Sequence, residues 1–463
     1  MSLLDLTKRP APQPPPELHL PAIEKHTLSN GLSVWLVEKH TLPSIAFNLI
    51  VNAGTDRDPS ALPGLASITA EMMESGSATM TALTIADRLD FIGAVMSIRA
   101  GLDATSAFLH TLTKHLDEAL TVFGEVVSSP TFPEEELERT RSQRLTSLLQ
   151  QRDRASYVAN VAFNRIVYGA HPYGNDPSGT EESLRSIRRE DLTLFYNSFY
   201  RPEASTLIVV GDVRGAELLP RLETALAGWQ HGVHSADDLP PVPLPDKRKV
   251  FLVDKPGASQ SEIRIGRPGL PRSTPDYFPL IVMNRILGGQ FSSRINLNLR
   301  ERNGYTYGAG SYFRFARKEG PFVVSGGFIS AKTDRAIAEL ITEISQVHAE
   351  GLTVEEIEFS KKGISGSFAL TFETPMQIAT ALQSIALYGL PDNYYNEYVK
   401  NVGQVTREDV KRVARLYLDV SAMAVVVVGD VKEIRPGIEQ LNLGEIVLCN
   451  STGTPLTASM TNT

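Results

Sequence analysis

A single cysteine, Cys449, stands among 463 residues, so no disulfide can close within the chain, and a lone cysteine reads as a packing residue. That fits a reducing compartment. No apolar run approaches the ~20 residues that cross a bilayer; the strongest, 422–428, is strand-sized. No membrane span is expected. Basic residues are also scarce: 45 Lys and Arg against 53 Asp and Glu leave a net charge of −8 and no basic stripe interleaved with aromatics. Nucleic acid is therefore not an expected partner. The first six residues lack the basic start and apolar core of a secretory signal. A cytoplasmic location is expected, with a periplasmic one open if a signal has been removed. None of the 9 histidines meets another at ligand spacing inside a clear helix; His110 and His115, in a helix-like run, are five apart and fall on different faces. Gly-x-Ser-x-Gly is absent too. No self-sufficient catalytic centre is visible.

What is present is an ordinary globular composition, 42% hydrophobic and 21% charged. Cores stop growing at roughly 250 to 300 residues, so a chain of this length divides. Prolines at 10, 12, 14, 15, 16 and 21 predict an extended arm over 1–22, and Pro240, Pro241, Pro243 and Pro245 mark a linker over 236–247. The expected domains are 23–235 and 248–445, followed by a flexible tail over 446–463.

The two halves repeat one plan. Glu135-Glu136-Leu137-Glu138 recurs as Glu355-Glu356-Ile357-Glu358, and Tyr168-Gly169 as Tyr388-Gly389, both 220 positions later. Arg189-Glu190-Asp191-Leu192 recurs as Arg407-Glu408-Asp409-Val410, and the run 207–213 as 425–431, both 218 later. Four matches at nearly one offset are a duplication. Within a half, 32–37 and 44–51 are apolar and β-branched after the Asn30-Gly31 turn, predicting a hairpin-like pair. Residues 81–92 and 134–150 have helical periodicity, the latter behind Pro133 with three glutamates in its first turn. The run 206–210 reads as a buried central strand. Each half is thus an α+β unit, a sheet faced by helices.

Several motifs carry a family resemblance: Leu28-Ser29-Asn30-Gly31-Leu32, Asn52-Ala53-Gly54-Thr55, Gly64-Leu65-Ala66, His171-Pro172-Tyr173-Gly174, Phe199-Tyr200-Arg201-Pro202, Leu287-Gly288-Gly289 and the stretch from Arg300 to Tyr307. Together they resemble the pitrilysin/insulinase zinc peptidases, in the short-subunit branch that includes the processing peptidases. The resemblance implies two homologous domains, each a mixed, mostly antiparallel sheet with helices, and two such chains closing around a peptide.

Active relatives place His-x-x-Glu-His directly after Gly-Leu-Ala, with a further Glu roughly 76 residues on. Here Ser67 stands at the first His, Ala70 at the catalytic base and Glu71 at the second His. Counting onward lands near Thr146 and Ser147, where there is no carboxylate. Ser67 and Glu71, one helical turn apart, make a poor zinc pair and are read as a solvated or capped polar face. No metal is expected in this chain; the resemblance implies zinc in a partner. His171 reads as a loop-packing residue.

Leu297 to Gly304 reads as a helix end with Gly304 in the left-handed position, and Tyr305-Thr306-Tyr307 as the start of a strand whose alternation puts both tyrosines on one face. The resemblance assigns to an Arg and a Tyr seven positions apart, here Arg300 and Tyr307, a catalytic role in trans, holding peptide and steadying the oxyanion at the partner's zinc. Tyr305 is the rival tyrosine. Gly288, Gly289 and Ser292 are candidates for guiding an extended peptide. The expected function is that of a non-catalytic subunit in a heterodimeric zinc endopeptidase, with a zinc-bearing homologue and a peptide as partners. The alternative is a structural homodimer like the core proteins of respiratory complexes.

Overall fold

Each half of the sequence supplies one six-stranded sheet. The computed structural model describes residues 21–230 and 239–456. Most of the proline-rich arm, His19, His231, His234, the start of the expected linker and residues 457–463 lie outside them. The first sheet comprises β1 (Glu24–Thr27), β2 (Ser33–Glu38), β3 (Ser44–Val51), β4 (Val95–Ala100), β5 (Thr105–Leu112) and β6 (Ser205–Gly211), in the order β1-β2-β6-β3-β5-β4. The second comprises β7 (Lys249–Asp254), β8 (Gln260–Pro268), β9 (Ala309–Phe313), β10 (Pro321–Ile329), β11 (Ala424–Gly429) and β12 (Ile446–Cys449), in the order β12-β7-β11-β8-β10-β9.

From β2 or β7 outward the two orders coincide. Parallel pairs join β2 to β6, β7 to β11 and β12 to β7, and every other pair is antiparallel. This is the mixed, mostly antiparallel α+β architecture of two homologous domains. The central strands β6 and β11 are nearly continuous apolar runs because helices cover both of their faces.

Three expectations are corrected. The strands at 32–37 and 44–51 do not form a hairpin, because the more uniformly apolar β6 lies between β2 and β3; the Asn30-Gly31 turn instead joins β1 to β2. Residues 446–449, assigned to a flexible tail, form β12, whose Ile-Val-Leu-Cys sequence pairs in parallel with β7 and seals that edge. His110 lies on β5 and His115 in a 3-10 turn, not on one helix.

Six helices matter for the site: α1 (Leu65–Met72), α2 (Glu134–Arg152), α3 (Ala155–Tyr168), α4 (Tyr277–Leu287), α5 (Val354–Phe368) and α6 (Pro375–Tyr388). The repeated acidic motif opens α2 and α5. Glu134, Glu135 and Glu136 sit against the positive end of α2, while Thr353 and Glu356 close a reciprocal cap on α5.

The halves exchange helices. Val158, Ala159, Ala162 and Phe163 of α3 pack on Val323, Val426 and Val428 of the second sheet. Ile378, Ala379, Leu382 and Ile385 of α6 pack on Val37, Ala46, Ile50 and Ile208 of the first. Burying each such large side chain stabilises by about 1.5–3 kcal/mol. Buried polar groups are matched across the same contacts: Arg264 of β8 donates to Asn160 of α3 at 2.8 Å, and Gln383 of α6 bonds Asn48 and Ser106 at 3.1 and 2.9 Å. Arg317, ahead of β10, reaches into the first domain, where its backbone N–H donates to Asp103 at 2.7 Å and its guanidinium faces Asp56 at 3.4 Å.

Candidate functional site

The helix that would carry a zinc motif is held by its N-terminus. Gly64 has φ +90° and packs so closely on Gly179 that a Cβ would come within 2.7 Å of its Cα. Asp58 accepts from the backbone N–H groups of Gly64 and Ala66, both at 2.7 Å. Burial pushes its carboxyl up to about 7, and neighbouring Asp56 up to about 6, against the lowering effect of these hydrogen bonds. Gly-Leu-Ala is thus a rigid mount for α1, with or without a metal.

What α1 presents is an ion pair. Arg144, one of the residues that α2 turns toward α1, donates to Glu71 Oε2 from Nε at 2.8 Å and from Nη2 at 2.5 Å, and to Ser67 Oγ at 3.1 Å. The polar face read from the sequence as solvated or capped carries a cap: Glu71 stays 41% exposed, and the lone pairs that might have met a cation meet a guanidinium. Ala70, at the position of the base, is buried in the core. Ser147, with Leu148, Gln151 and Ser178, lines a cavity of about 140 Å³ beside Ser67 and Arg144; Thr146 is exposed. Among the described residues no group of three His, Cys, Asp or Glu could hold a metal ion. A hydroxyl and one carboxylate, already satisfied by an arginine, supply no open tetrahedral site for zinc. Sequence reasoning missed Arg144 because it counted toward a carboxylate ligand; the available signal was an unbalanced Glu71 opposite an arginine-bearing helix.

His171 is buried, with Nδ1 accepting from the Tyr173 N–H at 3.1 Å and its ring 4.7 Å from that of Tyr173. Burial holds its imidazole below the usual value. Tyr173 in turn donates to Asp103 at 2.5 Å, so this loop buttresses the contact with Arg317.

In the second half, Arg300 lies on a π-helical stretch, Leu297–Arg302, with its guanidinium 4.5 Å from the Phe291 ring centroid and 3.5 Å from Glu301. Gly304 follows with φ +64°, its N–H bonded to the Arg300 carbonyl. The strand expected at Tyr305 begins only at Ala309, because Thr306 bonds both Gly308 and Gly327 and fixes a loop. The two tyrosines therefore part company. Tyr305 packs against the core, whereas Tyr307 is 90% exposed. Arg300 is partly exposed and Tyr307 almost fully so. Gly288 is buried, its carbonyl accepting from the Ser311 N–H at 3.0 Å, and a Cβ there would meet that nitrogen at 2.3 Å. Gly289 and Ser292 are exposed beside it.

This arrangement, two duplicated α+β domains with a peptidase-type helix mount, has a counterpart in known proteins. The Insulinase (Peptidase family M16) model matches residues 33–181 and the Peptidase M16 inactive domain model residues 186–364, together well over half of the chain. The chain belongs to the M16 insulinase family, as a member without the family's zinc set. It is 24% identical over 407 residues to "Uncharacterized zinc protease YmxG" of Bacillus subtilis, covering 87% of this chain and 98% of that one. It is 23% identical to "Non-peptidase homolog YmxG" of Helicobacter pylori, covering 86% and 91%. Among solved structures, a peptidase M16 inactive domain from Pseudomonas fluorescens superposes with a TM-score of 0.83 at 26% identity, covering 88% of this chain and 98% of that one. A chain of complex III2 from Candida albicans shares the fold, with a TM-score of 0.75 at 13% identity over 91% of this chain and all of that one.

Proposed function

We propose that this chain is the non-catalytic subunit of a two-chain zinc endopeptidase, working beside a zinc-bearing homologue and presenting Arg300 and Tyr307 to that partner's site. The observation that carries the reading is the contrast between a metal position filled by Arg144 and an Arg and Tyr left at the surface. A guanidinium and a phenol are donors suited to negative charge developing on a tetrahedral intermediate, and among the described residues Arg300 is held only by its chain neighbour Glu301, at 3.5 Å, and the Phe291 ring. The peptide would lie between the two chains, with Gly289 and Ser292 along its path. Mixing the purified zinc-bearing homologue with this chain should restore cleavage of an unfolded peptide. Equal rates with wild-type and Arg300→Ala chains would sink the proposal.

The likeness to a respiratory-complex chain keeps one other reading in play, a homodimeric scaffold with no part in proteolysis. Affinity capture from cells of origin separates the two, since a scaffold brings down only itself.

A further inference from the structure

The second half contains a counterpart of the filled site, and it is unfilled. α4 follows β8 as α1 follows β3, and α5, the repeat of α2, packs along it. Between α4, α5 and the edge strand β9 runs a groove of about 340 Å³ walled by Ile281, Phe313, Phe315, Ile364, Phe368 and Tyr398. Arg285 lies in it. Its guanidinium rests on Gly363, where a Cβ would come within 2.6 Å of Nη2, so that glycine is what leaves it room. Its Nε is shut off from water and bonded to nothing, and no Asp or Glu lines the groove. Among the described residues, then, a positive charge is held in an aromatic cleft with no counter-ion.

The rest of the side chain is partly exposed, and an Nε–H shut off from water without an acceptor is costly until one is supplied. The missing group is a carboxylate, the planar partner that a guanidinium fork matches. Ile281, Arg285 and Gly289 are spaced four apart along α4 and its end, and the charge shares the groove with apolar wall from Ile281, Phe313, Phe315, Ile364 and Phe368 and with the polar Asn284, Ser367 and Thr371. A small free anion would leave those walls bare.

We infer that this groove binds an extended peptide segment through an acidic side chain, its carboxylate on Arg285 and its flanking apolar residues on Phe313, Phe315, Phe368 and Tyr398. The choice of a peptide rests on the function proposed above. Binding itself requires neither the zinc-bearing partner nor Arg300, so a chain that fails in the cleavage assay can still pass here, and the reverse.

The test is fluorescence anisotropy on the purified full chain with labelled peptides, acetylated and amidated at their ends, carrying either Glu or Gln between Leu and Phe residues. The Glu peptide should bind about tenfold or more tighter than the Gln peptide, as expected for a buried charge-assisted hydrogen bond. Arg285→Gln should abolish that preference. Ser367→Glu, on the exposed rim one turn beyond Gly363, should satisfy Arg285 from within the chain and block the Glu peptide; this variant keeps the test open if the first one misfolds. Equal affinity for the two peptides, or unchanged Glu binding in Ser367→Glu, overturns the inference. So does a preference confined to peptides with a free C-terminal acid.

Discussion

The two domains share strand order and helix placement, yet they treat the same internal position in opposite ways. In the first, Arg144 of α2 closes on Ser67 and Glu71 of α1, and the charge is balanced within the chain. In the second, Arg285 of α4 meets no carboxylate among the described residues, and Gly363 of α5 lies against it. A duplicated fold fixes where a pocket lies, while one or two side chains decide whether it is occupied by the protein itself.

The largest effect is expected in a reconstituted cleavage assay. Removing one preformed donor to a developing oxyanion costs about 10²–10³ in rate, so Arg300→Ala should slow the mixture by that order. Arg144→Met, in the other half, should leave the rate within a few-fold. Unchanged cleavage with Arg300→Ala would mean that the second half contributes nothing to chemistry.

Next come the shared cores. Phe163→Ala, which empties the seat of α3 on the second sheet, should cost about 3–5 kcal/mol, and Leu382→Ala, on α6 against the first sheet, about 2–5 kcal/mol, read by denaturant unfolding. A single transition in both variants is expected, because each helix belongs to the other half's core.

Stability should also depend on pH through Asp58. The folded chain holds its carboxyl proton at about 7, well above the ordinary carboxylate value. The folded state therefore binds this proton more tightly than the unfolded chain, and the contribution of Asp58 to stability grows as pH falls from about 7 toward 4. Asp58→Asn should flatten that slope in thermal unfolding; a parallel pair of curves would show that the group titrates normally.

The smallest pair of effects addresses the two arginines directly. Arg144→Met should destabilise by about 1 kcal/mol, a figure kept low because Glu71 is 41% exposed and screened by water. Arg285→Met should be neutral or stabilising, since it removes a charge without a partner. If both cost the same, Arg285 has a structural counter-charge and the contrast between the halves is lost. Zinc or a chelator should leave the melting temperature unchanged in either case.

Much of this was legible in the sequence, for physical reasons that also explain the rest. The duplication showed in the matched acidic motifs because both open a helix, where carboxylates suit the helix dipole. The departure from the zinc motif was legible at Ser67, Ala70 and Glu71 because metal ligands must have particular side chains. The partner of Glu71 was not, since Arg144 meets it only once α2 packs on α1. Tyr305 and Tyr307 looked equivalent under strand alternation, and a loop pinned by the Thr306 hydroxyl separated them. Ile446 to Cys449 looked like the start of a tail because four residues are too short to reveal a strand without the neighbour they pair with. The groove around Arg285 draws on α4, α5 and β9, so no local pattern could announce it.

The crossed packing of α3 and α6 bears on how the chain is made. As synthesis proceeds, the face of the first sheet formed by Val37, Ala46, Ile50 and Ile208 has no cover until α6 emerges, after β7 through β10 have been translated. The first half must wait, apolar face bare, for a helix encoded near the far end of the message, and that interval is where a folding helper or an aggregating neighbour would meet it.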